Sequence, residues 1–261
     1  MPIKSILVVV SGAEESNPAL ALAFTLAQKY TARIAALYVK PVVMVYSDGM
    51  GFDMTPSVIE AQQAYLQSAA DKAESVTKAQ AAQAGYEIEW RCEEGDELNI
   101  AAAQARVSDI VLANPEVARD LMFEAGIPVL AVPHGASADL GKRVLVAWNG
   151  SRECARAVRD ARDLLKKAEQ VLVAVFDPPY GKGMGHDIAA LLASHGANVS
   201  VREMLSDGDN IGNLLLQEAK ANGCGLIVMG GYGHSRFREW VLGGVTDAIL
   251  HDAQIPVLLS H

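Results

Sequence analysis

Paired cysteines are missing from this sequence. Cys92, Cys154 and Cys224 are three scattered thiols with no Cys-x2-Cys spacing, and the six histidines include no pair at helix-face spacing. A disulfide framework and a structural metal site are therefore not expected, and free thiols fit a reducing cytosol. A basic excess is missing too. The formal net charge of −9 argues against a nucleic-acid or membrane-surface partner. No apolar run approaches the length of a bilayer span. Met1-Pro2-Ile3-Lys4 leads into the apolar run Ile6 to Val10 without a signal-peptide pattern, so a cytoplasmic protein is expected.

Several catalytic motifs are approached and not completed. Gly181-Lys182-Gly183-Met184-Gly185-His186 lacks the Gly-Lys-Ser/Thr ending of a P-loop and reads as a mobile connection able to close over a ligand. A similar loop surrounds Asp48, Met50 and Asp53. Gly233-His234-Ser235-Arg236-Phe237 has phenylalanine where the second glycine of a hydrolase nucleophile elbow is needed. Ser11 to Ser16 departs from the pyrophosphatase loop of adenylating enzymes and reads as a helix start, with Ser16 or Asn17 as N-cap and Pro18 in the first turn. Asp96 and Asp209 read as N-caps for the same reason. No general base and no metal-ligand set emerges.

What is present is an ordinary globular composition, 51% hydrophobic and 20% charged over 261 residues, long enough for two modest domains. The order of elements occurs twice. Lys4 to Gly12 resembles Lys142 to Gly150, Glu94-Gly95-Asp96-Glu97 matches Asp207-Gly208-Asp209-Asn210, and Ile127-Pro128-Val129-Leu130 matches Ile255-Pro256-Val257-Leu258. The chain is a tandem duplication. Each copy reads as βαβαβαβαβ. Continuous apolar runs such as Ile6 to Val10 and Leu226 to Met229 imply strands buried on both faces of a parallel sheet. Strand three alternates, with Tyr86, Ile88, Trp90 and Cys92 between charged residues, which predicts a strand near the sheet edge. A long helix is expected from about Pro56 to Ala84, with Leu66, Ala69, Ala73 and Val76 inward. A shorter one is expected around Asp187 to Ser194.

The copies differ in one place. Between the fourth strand and the next helix the second copy carries eleven more residues than the first, and five glycines fall between Met229 and Gly244. The first copy passes from Ala113 through Asn114-Pro115 straight into its helix. A loop in that position presents backbone N–H groups and a helix N-terminus to an anion. Gly230-x2-Gly233-x9-Gly243 reads equally as a phosphate cradle or as a flexible surface loop with a glycine cap. Charge favours an anionic ligand in the second copy: residues 1–138 hold 9 Lys and Arg against 17 Asp and Glu, the remainder 13 against 14.

The glycine spacing, the strand before it and the tail Val245 to Leu250 with Ile255-Pro256-Val257 together resemble the universal stress protein family, over the whole chain. The resemblance implies an α/β fold of two tandem doubly wound five-stranded parallel-sheet domains, of the adenine nucleotide alpha hydrolase-like type. They would span residues 1–134, without the glycine loop, and 142–261, with it, joined by a linker at 135–141. ATP-binding members carry Gly-x2-Gly-x9-Gly-(Ser/Thr) after strand four. Carried over, the nucleotide-binding residues are Asn149, Gly150 and Ser151 after strand one, and Val175 against adenine, although a core valine is an equal reading. From the glycine segment come Met229, Gly230, Gly231, Gly233, His234, Ser235, Arg236, Gly243, Gly244, Val245 and Thr246. Two departures stand out: Gly244 replaces the hydroxyl residue, with Ser235 or Thr246 as substitutes, and Asn149 replaces an aspartate. The implied ligand is ATP or another adenine nucleotide with Mg, in a stress regulator that binds without turning over. A scaffold with a decayed or altered small-ligand site is the alternative, and slow ATP hydrolysis or adenylation a third reading. The resemblance also implies that the fifth strands, Ile127 to Val132 and Ile255 to Ser260, pair within the chain as a pseudo-dimer, leaving a homodimer as a further level of assembly.

Overall fold

The apolar runs that open and close each copy become the interior strands of one sheet. The computed structural model describes residues 3–13, 16–43, 55–178, 183–232 and 244–261. The first copy runs β1 (Ser5–Val9), α1 (Pro18–Tyr30), β2 (Arg33–Lys40), α2 (Pro56–Gln83), β3 (Glu89–Glu94), α3 (Glu97–Ala105), β4 (Ile110–Ala113), α4 (Pro115–Glu124) and β5 (Val129–Ala131). The second runs β6 (Arg143–Ala147), α5 (Arg152–Asp160), α6 (Arg162–Lys167), β7 (Gln170–Phe176), α7 (Met184–Ser194), β8 (Val199–Met204), α8 (Ile211–Ala221), β9 (Leu226–Gly230), α9 (Val245–Asp252) and β10 (Val257–Ser260). The loop around Asp48, Met50 and Asp53, and Gly181 and Lys182 of the later connection, lie outside the described residues, as does 233–243.

The ten strands lie in the order β3-β2-β1-β4-β5-β10-β9-β6-β7-β8. Within each copy every described ladder is parallel, and where the copies meet β5 and β10 pair antiparallel, Leu130 opposite Leu258. The expected pairing of the fifth strands is thus present. Pro128 and Pro256 stand just before these strands, where a missing N–H costs no ladder bond. Their carbonyls accept from Val111 and Ile227.

Strand alternation sorts the buried residues into two layers. Ile6, Val8, Val146 and Val228 face a layer with Leu20, Phe24, Leu165 and Ile188 from α1, α6 and α7. Leu7, Val9, Leu145 and Met229 face Ala101, Leu121, Leu215 and Ile249 from α3, α4, α8 and α9. Both layers run through both copies.

The strand expected near an edge is at one: β3 and β8 end the sheet. Its alternation stops early, however. Tyr86 and Ile88 precede the strand, where Tyr86 stacks on Phe24 at 5.0 Å, and Cys92 is exposed. The inward stripe of α2 is Ala70, Ala73, Thr77 and Ala81; Leu66, Ala69 and Val76 are half-buried on its flank. Side-chain caps start the helices as the sequence predicts for Asn17 and Asp96, which accept from Leu20 and Asn99 N–H. In the second copy the cap of α8 is Asn210, not Asp209: its Oδ1 accepts from Asn213 N–H, three residues on, the spacing a cap requires.

Candidate functional site

Strand order reverses in the second copy between β6 and β9, which pair with each other while the chain continues outward from β6 to the edge strand β8 and inward from β9 to β10. In doubly wound sheets the crevice beyond such strand ends takes the ligand. Here it is a cavity of about 340 Å³. Ala147, Trp148 and Asn149 line it from the end of β6, and Ala174, Phe176 and Asp177 from β7. Met229, Gly230 and Tyr232 come from β9 and the turn after it, and Val245 and Thr246 from the first turn of α9. Ile211 and Leu215, one turn apart on α8, with Met184 and Cys154, complete an apolar wall.

The sequence-predicted residues divide by what their atoms already do. Met229, Gly230, Asn149, Val245 and Thr246 are brought together at the cavity. Asn149 Oδ1 accepts from Ser151 N–H at 3.0 Å, and Ser151 Oγ accepts from Cys154 N–H at 3.2 Å as the cap of α5. Gly150 makes the turn between them at φ 75°, beside Met184 Sδ. These three shape the corner of the site. Thr246 Oγ1 accepts from Tyr232 N–H at 3.3 Å and ties the two ends of the glycine segment together.

Gly230 is glycine for packing, whereas Gly231 meets only a flexible side chain. A Cβ on Gly230 would stand 2.4 Å from the backbone nitrogen of Cys154, because the start of α5 lies against the end of β9. A Cβ on Gly231 would stand 2.4 Å from Met122 Sδ of α4. Val175 does not line the cavity. It is 1% exposed in the opposite layer, beneath Gly185, while its neighbours Ala174 and Phe176 face the cavity, as a two-residue period dictates. Gly233, His234, Ser235, Arg236 and Gly243 lie outside the described residues.

The wall carries groups that the motif reading passed over. Trp148 Nε1 is buried with no hydrogen-bond partner among the described residues. Asp177 accepts from the backbone and hydroxyl of Ser206, which hold its carboxyl below the usual range. Beside Gly230, Glu153 is 3% exposed. Burial pushes its carboxyl up, but the Arg152 guanidinium and local hydrogen bonds outweigh that and hold it low. The signal that finds Trp148 and Asp177 is position alone, each following a strand end. Among the described residues, no group of three or more His, Cys, Asp or Glu is placed to hold a metal ion.

The start of α9 also differs from its counterparts. The helices α1, α3, α4, α5 and α8 each have a side-chain acceptor at the N-cap; α9 has Gly244 there and no side-chain cap bond. Its first-turn N–H groups lack the side-chain acceptor that those five helices have.

In the first copy the space beyond the same strand ends is divided between a cavity of about 400 Å³ at β1 and the start of α4, lined by Val9, Ser11, Asn114 and Pro115, and a cleft beyond β1 and β2 lined by Ser11, Tyr38, Val39 and Glu97. Glu97 opens α3 as Ile211 opens α8, so a carboxylate stands where the second copy has an apolar wall. Ser11 Oγ donates to it at 3.4 Å, and burial raises its pKa.

The family profile of the universal stress proteins matches residues 2–133 and again 141–261. A solved universal stress protein from Archaeoglobus fulgidus is 17% identical, superposes with a TM-score of 0.68, and is matched over 98% of this chain and 95% of that one. A Pseudomonas aeruginosa protein of unknown function is 17% identical with a TM-score of 0.58, over 99% and 92% of the two chains. No curated protein sequence matches. At these identities the two structures share the fold alone. With both copies matched by the profile, the chain belongs to the universal stress protein family.

Proposed function

We propose that the second copy binds an adenine nucleotide, ATP or a close relative, and that the protein acts in the cytosol as a stress regulator through binding, not turnover. The observation that carries this reading is the start of α9, whose N-cap Gly244 offers no side-chain acceptor, facing an apolar cavity at the strand switch point. Ile211, Leu215, Phe176 and Met184 would receive the base, and the first-turn N–H groups of α9, which have no N-cap side-chain acceptor, would receive an anion. The volume, about 340 Å³, is within the range of small-molecule sites. Gly244 thus has two effects: it removes a hydroxyl and leaves donors for the ligand. Gly233, His234, Ser235, Arg236 and Gly243 would close over the phosphates, with Mg where a triphosphate is bound. The first copy, residues 1–134, would take no nucleotide, because Glu97 sets a negative charge in its cleft and its α4 start is closed by Asn114.

A second reading is favoured by Asn149, which carries no charge and whose carboxamide oxygen already accepts from Ser151 N–H, and by Asp177 and Glu153 near the cavity. On it, the chain is a scaffold holding a different small ligand or none. Native mass spectrometry of freshly purified protein, followed by calorimetric titration with ATP, separates the two. One nucleotide per chain, with a change in tryptophan fluorescence from Trp148 in the wall, supports nucleotide binding. Two sites per chain, or none, defeats it.

A further inference from the structure

One face of α4 touches the second copy on both sides of the glycine segment. Arg119, Met122 and Phe123 share that face by their spacing of three and four residues. Before the segment, Met122 Sδ occupies the space above Gly231 that a side chain would need. The ring of Phe123 lies 5.0 Å from that of Tyr232 and 4.7 Å, edge-on, from that of His261, whose Nδ1 is 3.0 Å from the Gly231 carbonyl. After the segment, Asp247 on α9 receives both the Tyr232 hydroxyl and, at 3.4 Å, the Arg119 guanidinium.

Tyr232 is the residue most in need of this support. Its backbone is left-handed, φ 49°, a conformation that a bulky side chain holds only when its surroundings enforce it. Tyr232 also lines the cavity, and its N–H is bonded to Thr246, another wall residue.

We propose that α4 of the first copy is a positioning element for the ligand site of the second, with Phe123 and Arg119 holding Tyr232 and thereby the spacing between the end of β9 and the start of α9. The copy without a glycine loop then serves the copy that has one. Phe123 is the main support, because a ring contact survives solvent better than an ion pair as exposed as Arg119 with Asp247. The positioning is a property of the ligand-free chain; its effect on affinity rests on the nucleotide reading above.

Hydrogen–deuterium exchange on the whole ligand-free chain tests the first part. Phe123→Ala should speed exchange about tenfold in peptides covering residues 230–232 and 245–249, with β1 to β4 unchanged, and Arg119→Ala should do the same to a smaller extent. Phe123→Tyr, which keeps the ring, should restore protection. ATP titration tests the second part: Phe123→Ala should weaken binding about tenfold and Phe123→Tyr should recover it. Unchanged exchange at both peptides, or exchange raised equally through both copies, overturns the proposal, and so does equal ATP affinity in wild type and Phe123→Ala. If the wild type takes no ATP, the nucleotide reading falls, and the exchange pattern alone decides whether α4 positions Tyr232.

Discussion

Of the glycines at and after the end of β9, Gly230 is fixed by its neighbours. Gly230 is pressed against the start of α5, so a methyl group there meets backbone that cannot swing aside. Gly230→Ala should therefore cost about 1–3 kcal/mol of stability by overpacking, read as a lowered midpoint in urea. Gly233→Val and Gly243→Val are expected to behave oppositely, weakening ATP binding while leaving the melt close to wild type. A destabilised Gly243→Val with unchanged affinity would show that its glycine is also structural. Glu97 gives a pH signature. Burial raises its folded pKa, so the folded chain binds that proton more tightly than the unfolded one. Such a group costs stability above its folded pKa and costs nothing below its unfolded value. Glu97→Gln should accordingly stabilise the chain at neutral pH, with the advantage closing as the pH falls through the carboxylate range. Urea melts at several pH values check this, and a pH-independent difference would remove the burial argument. At this scale the sequence showed where glycine was concentrated. It could not show that Gly230 and Gly231 face α5 and α4, because those neighbours lie about 75 and 110 residues away and leave no local pattern.

Five helices, α1, α3, α4, α5 and α8, are capped by the side chain of their own N-cap residue, whereas α7 is capped from another element. Its start has Gly183 and no side-chain cap of its own. Glu203 on β8, its side chain 8% exposed, instead accepts from the N–H groups of Gly183 and Gly185 at 2.8 Å. The same turn sets Met184 in the cavity wall and lets Gly185 rest on Val175. Glu203→Ala should cost about 1.5–3 kcal/mol, the range for hydrogen bonds to a charged group, measured by urea denaturation. A loss of a few tenths would mean that water replaces the carboxylate without strain. Strand and helix identities were legible where one rule acted alone: unbroken apolar runs gave β1 and β9, and Asn-Pro gave α1 and α4. Legibility failed where two rules competed. Asp209 and Asn210 both suit a cap, and the backbone chose the one three residues before Asn213. Val175 sits at a strand end, yet strand parity turned it away from the cavity that Ala174 and Phe176 line.

At the scale of the whole molecule, the tandem order and the parallel sheets follow from repeats visible in the sequence, and the meeting of the fifth strands was implied by family resemblance. The dependence of one copy's site on the other's helix was not visible, since it arises only once β5 and β10 are side by side. That junction has a further consequence. It is a ladder of three residue pairs, Val129 to Ala131 against Leu259 to Val257, joining two copies that are already one polypeptide. Between separate chains so short a ladder would obey mass action and come apart on dilution; within one chain the local concentration of each strand is fixed by the tether. Symmetry is no longer imposed either. Two identical subunits must change together at every position, whereas here one copy can keep a carboxylate such as Glu97 in its cleft and lose its loop while the other keeps an open cavity. Covalent fusion thus lets a single gene product hold an unlike pair in strict one-to-one ratio.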